Sequence, residues 1–148
     1  MSCRYTCDKH QAYITCLSVF LLFQRPAFIL PTIPSGVCQK ISVPLCIGLP
    51  YTETVLPNLL GHVHQRDVDQ AIQTFASLVQ VECSPHLKPF LCSVFTPECQ
   101  SGRPRPPCRT LCEQARFSCC EDLMHSFGVS WPEELQCNNL MFLMTGEL

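Results

Sequence analysis

The chain has 148 residues, 47% of them hydrophobic, 15% charged and 9% aromatic, which is enough apolar material for one core and excludes a disordered chain. A net charge of −2 gives no electrostatic footprint for nucleic acid, whose binders concentrate Lys and Arg on one face. Thirteen cysteines make up about 9% of the residues, near the level of a disulfide scaffold, because a reducing cytosol would leave so many thiols unpaired. The working compartment is therefore extracellular or secreted.

Residues 1–37 read as a leader. "YITCLSVFLLF", Tyr13 to Phe23, is too short to span a bilayer, which takes about 20 apolar residues, but matches the length of a signal-peptide h-region. "RPAFILPTIPSG" offers no clean small-x-small cleavage site. Cys3, Cys7 and Cys16 would be removed with the leader or stay unpaired. "QKISVPLC" and "YTETVL" are short strand candidates.

In "DVDQAIQTFASLVQVEC" the apolar positions Val68, Ala71, Ile72, Phe75, Leu78 and Val79 follow helical spacing, and Asp67 with Gln70 resembles a capping box. Ser84 as N-cap and Pro85 at the first position open a second helix with Leu87, Phe90, Leu91 and Val94 inward. Pro89 sits awkwardly in it, so the helix is expected to kink or begin later. A third helix fits "CRTLCEQARFSCCEDLMHSFG", with Gly128 as its terminating residue. Residues 138–148, ending "MFLMTGEL", carry no turn or cap signal and are expected to form a disordered tail.

Ten cysteines fall between residues 38 and 137: Cys38, Cys46, Cys83, Cys92, Cys99, Cys108, Cys112, Cys119, Cys120 and Cys137. The even count permits complete pairing, but spacing cannot choose the connectivity. His62 and His64 in "GHVHQ" raise the question of zinc, yet the CxxC pairs of structural zinc sites are missing. No metal or other cofactor is expected. Neither is catalysis, since there is no GxSxG-type nucleophile signature and disulfide cysteines are not nucleophiles. Arg103, Arg105 and Arg109 in "SGRPRPPCR" suggest at most a weak contact with anionic glycans; a solvated turn is the plainer reading.

The combination of LPNLLGH, ECSP, FLCS, PPCR and FGVSWPEEL over residues 38–137 resembles the Frizzled-type cysteine-rich domain. The resemblance implies a small, mostly α-helical, disulfide-rich fold with a short β element. It also implies pairing of Cys38 with Cys99, Cys46 with Cys92, Cys112 with Cys137, and Cys83 with Cys120 or Cys119, the last choice staying open. The family's partner for Cys108 lies beyond Cys137 and is missing. Cys108 then either pairs with the spare member of the Cys119–Cys120 doublet, or is the candidate unpaired thiol, or marks a truncated or alternatively ended form, the reading preferred here; a free thiol would invite disulfide-linked homodimers.

For function, the resemblance implies an extracellular module that binds Wnt proteins, as a receptor ectodomain fragment or a soluble antagonist. An apolar groove takes the ligand's fatty-acyl chain. The matching positions are Thr74, Phe75, Ser77, Val94, Phe127 and Val129, although Phe75 and Val94 also lie on helical stripes that suit a core. Ser77 and Val129 replace the Pro and Phe of close relatives, which implies a more open groove. The alternative is an interaction or spacer module of a larger extracellular mosaic protein, with no lipid bound. No N-x-S/T triplet occurs, so N-glycosylation is not expected.

Overall fold

The structure is a computed structural model that describes residues 35–117 and 120–140, leaving out the side chains of residues 120–122. The leader up to residue 34, the tail from residue 141, and Cys119 and Cys120 as disulfide partners therefore lie outside the described residues. The fold is mostly helical, with two small two-stranded sheets.

β1 (Cys38–Lys40) pairs antiparallel with β2 (Glu53–Val55), in the register Cys38↔Val55, Gln39↔Thr54 and Lys40↔Glu53. The rest of "QKISVPLC" leaves the strand and ends in a 3-10 turn, Pro44–Cys46, as Pro44 cannot donate to a ladder. A second hairpin, β3 (Cys99–Gln100) and β4 (Arg103–Pro104), lies in the run read from sequence as a basic loop. Its two turn residues, Ser101 and Gly102, have φ of 52° and 79°, the positive-φ pair of a type I′ turn, whose twist matches the strands. A bridge between Thr54 and Glu98 and the Cys38–Cys99 disulfide tie the hairpins together. Gly36, placed by sequence in the leader, donates its N–H to the Gly102 carbonyl at 2.8 Å, so the folded unit begins before Cys38.

The apolar stripe expected from Val68 to Val79 forms two helices, α1 (Gln65–Ile72) and α2 (Ala76–Gln80), joined by a 3-10 turn at Gln73–Phe75. Val68, Ile72, Phe75 and Leu78 are all buried. The helix starts before the Asp67–Gln70 pair because Gln65 is tied to the end of β1 and to Ser42 just beyond it. Its amide donates to the Lys40 carbonyl at 2.8 Å and accepts from the Ser42 N–H at 2.7 Å.

α3 spans Leu87–Phe95, which removes the difficulty with Pro89. Pro89 is the third residue of the helix, where a backbone N–H has no intrahelical partner, so its absence costs little. The first full-turn bond comes next, from the Phe90 N–H to the His86 carbonyl at 3.0 Å. Ser84 lies two residues before the N-cap, His86, its hydroxyl accepting the His86 N–H at 3.2 Å. At the other end, Tyr51 donates its phenol proton to the Thr96 carbonyl at 3.0 Å, with the Cys92 carbonyl at 3.3 Å.

Burial pushes the Tyr51 phenol up to about 12, the charge of Glu98 adding to it. An unfolded tyrosine ionises near 10, so its phenol loses its proton before the folded one does. Stability is thus expected to be unaffected by this group below about pH 10 and to fall by about 2 kcal/mol between about pH 10 and 12. Denaturant midpoints at pH 9 and 11, with Tyr51→Phe as control, test this; an equal pH slope in both proteins would refute it.

Along the third predicted helix the described residues form α4 (Arg109–Phe117) and α5 (Cys120–Ser126). Gly128, with φ of 66°, ends α5 as expected. Val129 N–H reaches the Met124 carbonyl at 2.8 Å and Gly128 N–H the His125 carbonyl at 3.2 Å, the bond pair of a Schellman motif. Met124 is buried and Val129 packs against the core. The chain then passes Trp131, whose ring stacks on Phe90 at 5.6 Å and whose indole N–H donates to the Leu135 carbonyl at 2.9 Å.

The disulfides Cys38–Cys99, Cys46–Cys92 and Cys112–Cys137 are formed, with S–S distances of 2.00, 2.04 and 2.07 Å. Cys83 and Cys108 are disulfide-bonded as well, to sulfurs outside the described residues. Cys108 is therefore not the unpaired thiol expected from the missing family partner. It packs against the core just before α4, and a partner other than one beyond Cys137 serves it. The expected homodimer rested on that thiol and loses its basis. Residues 138–140, expected to belong to a disordered tail, are ordered. Residues 137–140 are helical, and Leu140 is only 2% exposed, held in the core beside the Cys112–Cys137 bridge.

Candidate functional site

Four parts of the chain converge on one groove of about 370 Å³, within the ~300–1,000 Å³ range of small-molecule sites. The stretch from α1 to α2 supplies Ala71, Thr74 and Phe75. The 3-10 turn places Thr74 outward and Phe75 inward. Phe95, the last residue of α3, completes an aromatic floor with its ring 6.4 Å from that of Phe75.

The second wall, Leu60 and His62, belongs to a loop organised by the buried side chain of Asn58. Its Oδ1 accepts the N–H groups of Leu60 at 3.0 Å and His62 at 2.9 Å, and its Nδ2 donates to the Phe95 carbonyl at 2.9 Å. The Asn58 N–H closes the loop on the His62 carbonyl at 3.1 Å. His62 lies over the Phe95 ring, centroids 5.9 Å apart. The third wall is Pro132, Glu134 and Leu135, part of the segment fixed by Trp131. Glu134, an exposed carboxylate, is the formally charged side chain among these walls.

Of the six positions carried over from the resemblance, Thr74 and Phe75 line this groove. Val94 is 0% exposed and belongs to the core. Ser77 is exposed, Phe127 is 43% exposed, and Val129 is half-buried against the core; none of the three lines the groove. Leu60, His62, Ala71, Phe95, Pro132, Glu134 and Leu135 were missed as walls. Five of them stand in LPNLLGH and WPEEL, the motifs that carried the resemblance, so a signal was present. Their convergence depends on tertiary structure.

Other features are more polar or already satisfied. A depression of about 730 Å³ is lined by Glu82 and Lys88 along with Leu49, Val79 and prolines. Among the loop arginines, Arg105 pairs with Glu98 at 3.0 Å and Arg109 with Glu113 at 2.7 Å, which leaves Arg103 as the loop's cation without an ion pair among the described residues. His62 engages Asn58, and no cluster of His, Cys, Asp or Glu suited to a metal occurs among the described residues.

Residues 38–143 match the family model of the Fz domain. Frizzled-1 of Xenopus laevis is 48% identical over 114 residues, which is 76% of this chain and 20% of that protein. The chain thus spans a fifth of the length of this relative. Among solved structures, the Smoothened cysteine-rich domain in its selenomethionine-labelled form superposes with a TM-score of 0.53 at 28% identity, covering 71% of this chain and 90% of that one. The xenopus Smoothened cysteine-rich domain in complex with cyclopamine gives 0.54 at 26% identity, covering 70% and 91%. Motifs, helical topology and these likenesses agree: the chain belongs to the Fz family of Frizzled-type cysteine-rich domains.

Proposed function

We propose that this chain is an extracellular, non-enzymatic module that binds Wnt proteins, taking the ligand's fatty-acyl chain into the groove over Phe75 and Phe95. It acts as a receptor ectodomain fragment or as a soluble antagonist. The observation that carries the reading is the groove itself. An acyl chain offers no hydrogen bonds along its length, so its affinity comes from burying methylenes at about 0.8 kcal/mol each. Leu60, Ala71, Phe75, Phe95, Pro132 and Leu135 provide such walls. The relatedness to Frizzled-1 supports the ligand class, and a Smoothened domain of the same fold in complex with cyclopamine supports the fold as a small-molecule host. No helix among the described residues is long and apolar enough to cross a membrane.

Ala71 is half-buried on the groove wall, so Ala71→Trp fills the groove with little disturbance of the core beneath. Binding of a palmitoleoylated peptide to the oxidised chain is expected to weaken at least about tenfold, or about 1.4 kcal/mol, with unchanged circular dichroism. Unchanged affinity would reject the groove. If the wild-type chain took up no acylated probe, the spacer or interaction module would be the surviving function.

A further inference from the structure

We propose that the groove over Phe75 and Phe95 has an occupant within this chain: the apolar run Met141, Phe142, Leu143 and Met144, which follows Leu140 and competes with an incoming lipid. The competition rests on the acyl-groove reading, whereas the docking rests on the groove walls and on where the run is rooted. That root is the third wall. Residues 137–140 are helical and are bonded back to the 3-10 turn Glu133–Leu135 and the residue after it. The N–H groups of Asn139 and Leu140 donate to the Gln136 carbonyl at 2.9 and 3.2 Å, and the Asn139 side-chain amide donates to the Glu133 carbonyl at 3.0 Å. Leu140 itself is buried. Glu134 and Leu135 of that turn line the groove, so a run beginning at residue 141 is anchored to the wall it has to cover. The four helical residues advance the chain by only about 6 Å, and four extended ones reach about 13 Å, so no long linker is needed to turn back onto the groove.

The chemistry of the run fits that of the walls. The described walls are mostly apolar and carry no Lys or Arg, over a floor of two phenylalanine rings. The four side chains of the run are uncharged, so they shed water without stranding a charge. Its two methionines suit an irregular aromatic surface, because the thioether is flexible and makes favourable contacts with ring edges. Covalent attachment adds to this. A short flexible connection gives an effective concentration in the millimolar range, so contacts too weak to hold a free tetrapeptide are enough. The leader enters the described structure at the second hairpin, where Gly36 donates to Gly102, rather than at a groove wall, which favours the run after Leu140. While the run is docked, a lipid meets only the empty fraction of the molecules, and its apparent dissociation constant rises by the inverse of that fraction.

The test uses the full oxidised chain with carbon-13 in its methionine methyl groups. The Met141 and Met144 methyls are expected upfield of their free-peptide positions, with nuclear Overhauser contacts to the Phe75 and Phe95 rings, and the groove-filling Ala71→Trp should abolish those contacts. Phe142→Asp, which puts a charge in the run and leaves the described core untouched, should abolish them too and tighten methyl palmitoleate binding at least about threefold. Wild-type methyls without ring contacts overturn the docking. So do contacts that arise only between labelled and unlabelled copies, which make a second chain the occupant, or leader residues found against the rings instead. Ring contacts together with an unchanged ester affinity in Phe142→Asp overturn the competition. If the ring contacts are present but neither chain takes up methyl palmitoleate, the acyl reading falls, the competition falls with it, and the docked run stands.

Discussion

Reduced with excess dithiothreitol at neutral pH, the chain is expected to lose its cooperative unfolding transition and most of its helical circular dichroism. The described disulfides join residues 61, 46 and 25 positions apart, and on the chain-entropy account each loop of that size contributes about 3.5–4.5 kcal/mol. A small domain has a net stability of about 5–15 kcal/mol, so even with overlapping loops the loss of several bridges is comparable to the whole. Little else can substitute. The named α-helices run from 5 to 9 described residues, below the roughly 12–15 at which isolated helices become marginal. The strands have two or three residues, and a lone hairpin is not independently stable. A reduced, alkylated chain that kept a sigmoidal urea transition at the same midpoint would show that the core suffices. Replacing both Cys46 and Cys92 with Ala is the milder form, expected to cost about 2–5 kcal/mol.

The sequence made legible what has a period or a fixed chemical signature. Val68, Ile72, Phe75 and Leu78 repeat at helical spacing and are buried, and Gly128 marked a helix end through its freedom at positive φ. The 3-10 turn at Gln73–Phe75 has no Gly or Pro to announce it, so one helix was read where two are formed. Gln65 starts α1 early because its partners, Gln39, Lys40 and Ser42, are 23 to 26 positions away, beyond the reach of any local rule. The Ser101–Gly102 hairpin was hidden by its prolines and arginines, which read as a solvated loop. For the site, periodicity reached Phe75 and the resemblance added Thr74 beside it, but neither could bring Leu60, His62, Pro132 and Glu134 to face them. That meeting depends on Asn58 bonding to the end of α3 and on Trp131 stacking on Phe90. Carry-over by position also placed Val94 in the groove, although helical spacing alone already suited it to the core, where it lies.

Phe75→Asp is expected to unfold the chain rather than simply empty its groove, while Thr74→Asp, one residue away, should do the opposite. Phe75 is 3% exposed and forms the groove floor from within the core. Truncating a buried phenylalanine costs about 3–5 kcal/mol through lost burial and the cavity left behind, and a carboxylate at the same place must also give up its water or drag it inward. The combined loss is expected to exceed about 4 kcal/mol, enough to remove the folded state of a domain near the lower end of ordinary stability. Thr74 lies on the groove rim and is exposed. Its replacement by Asp should change stability by no more than about 0.5 kcal/mol. The new charge sits where an acyl chain must shed water, so methyl palmitoleate binding should fall about tenfold. Urea titration followed by ligand titration on both variants separates the two roles. A Phe75→Asp chain with the wild-type urea midpoint would mean that the ring serves the groove alone, and a Thr74→Asp chain that bound the ester normally would move the acyl chain away from this rim.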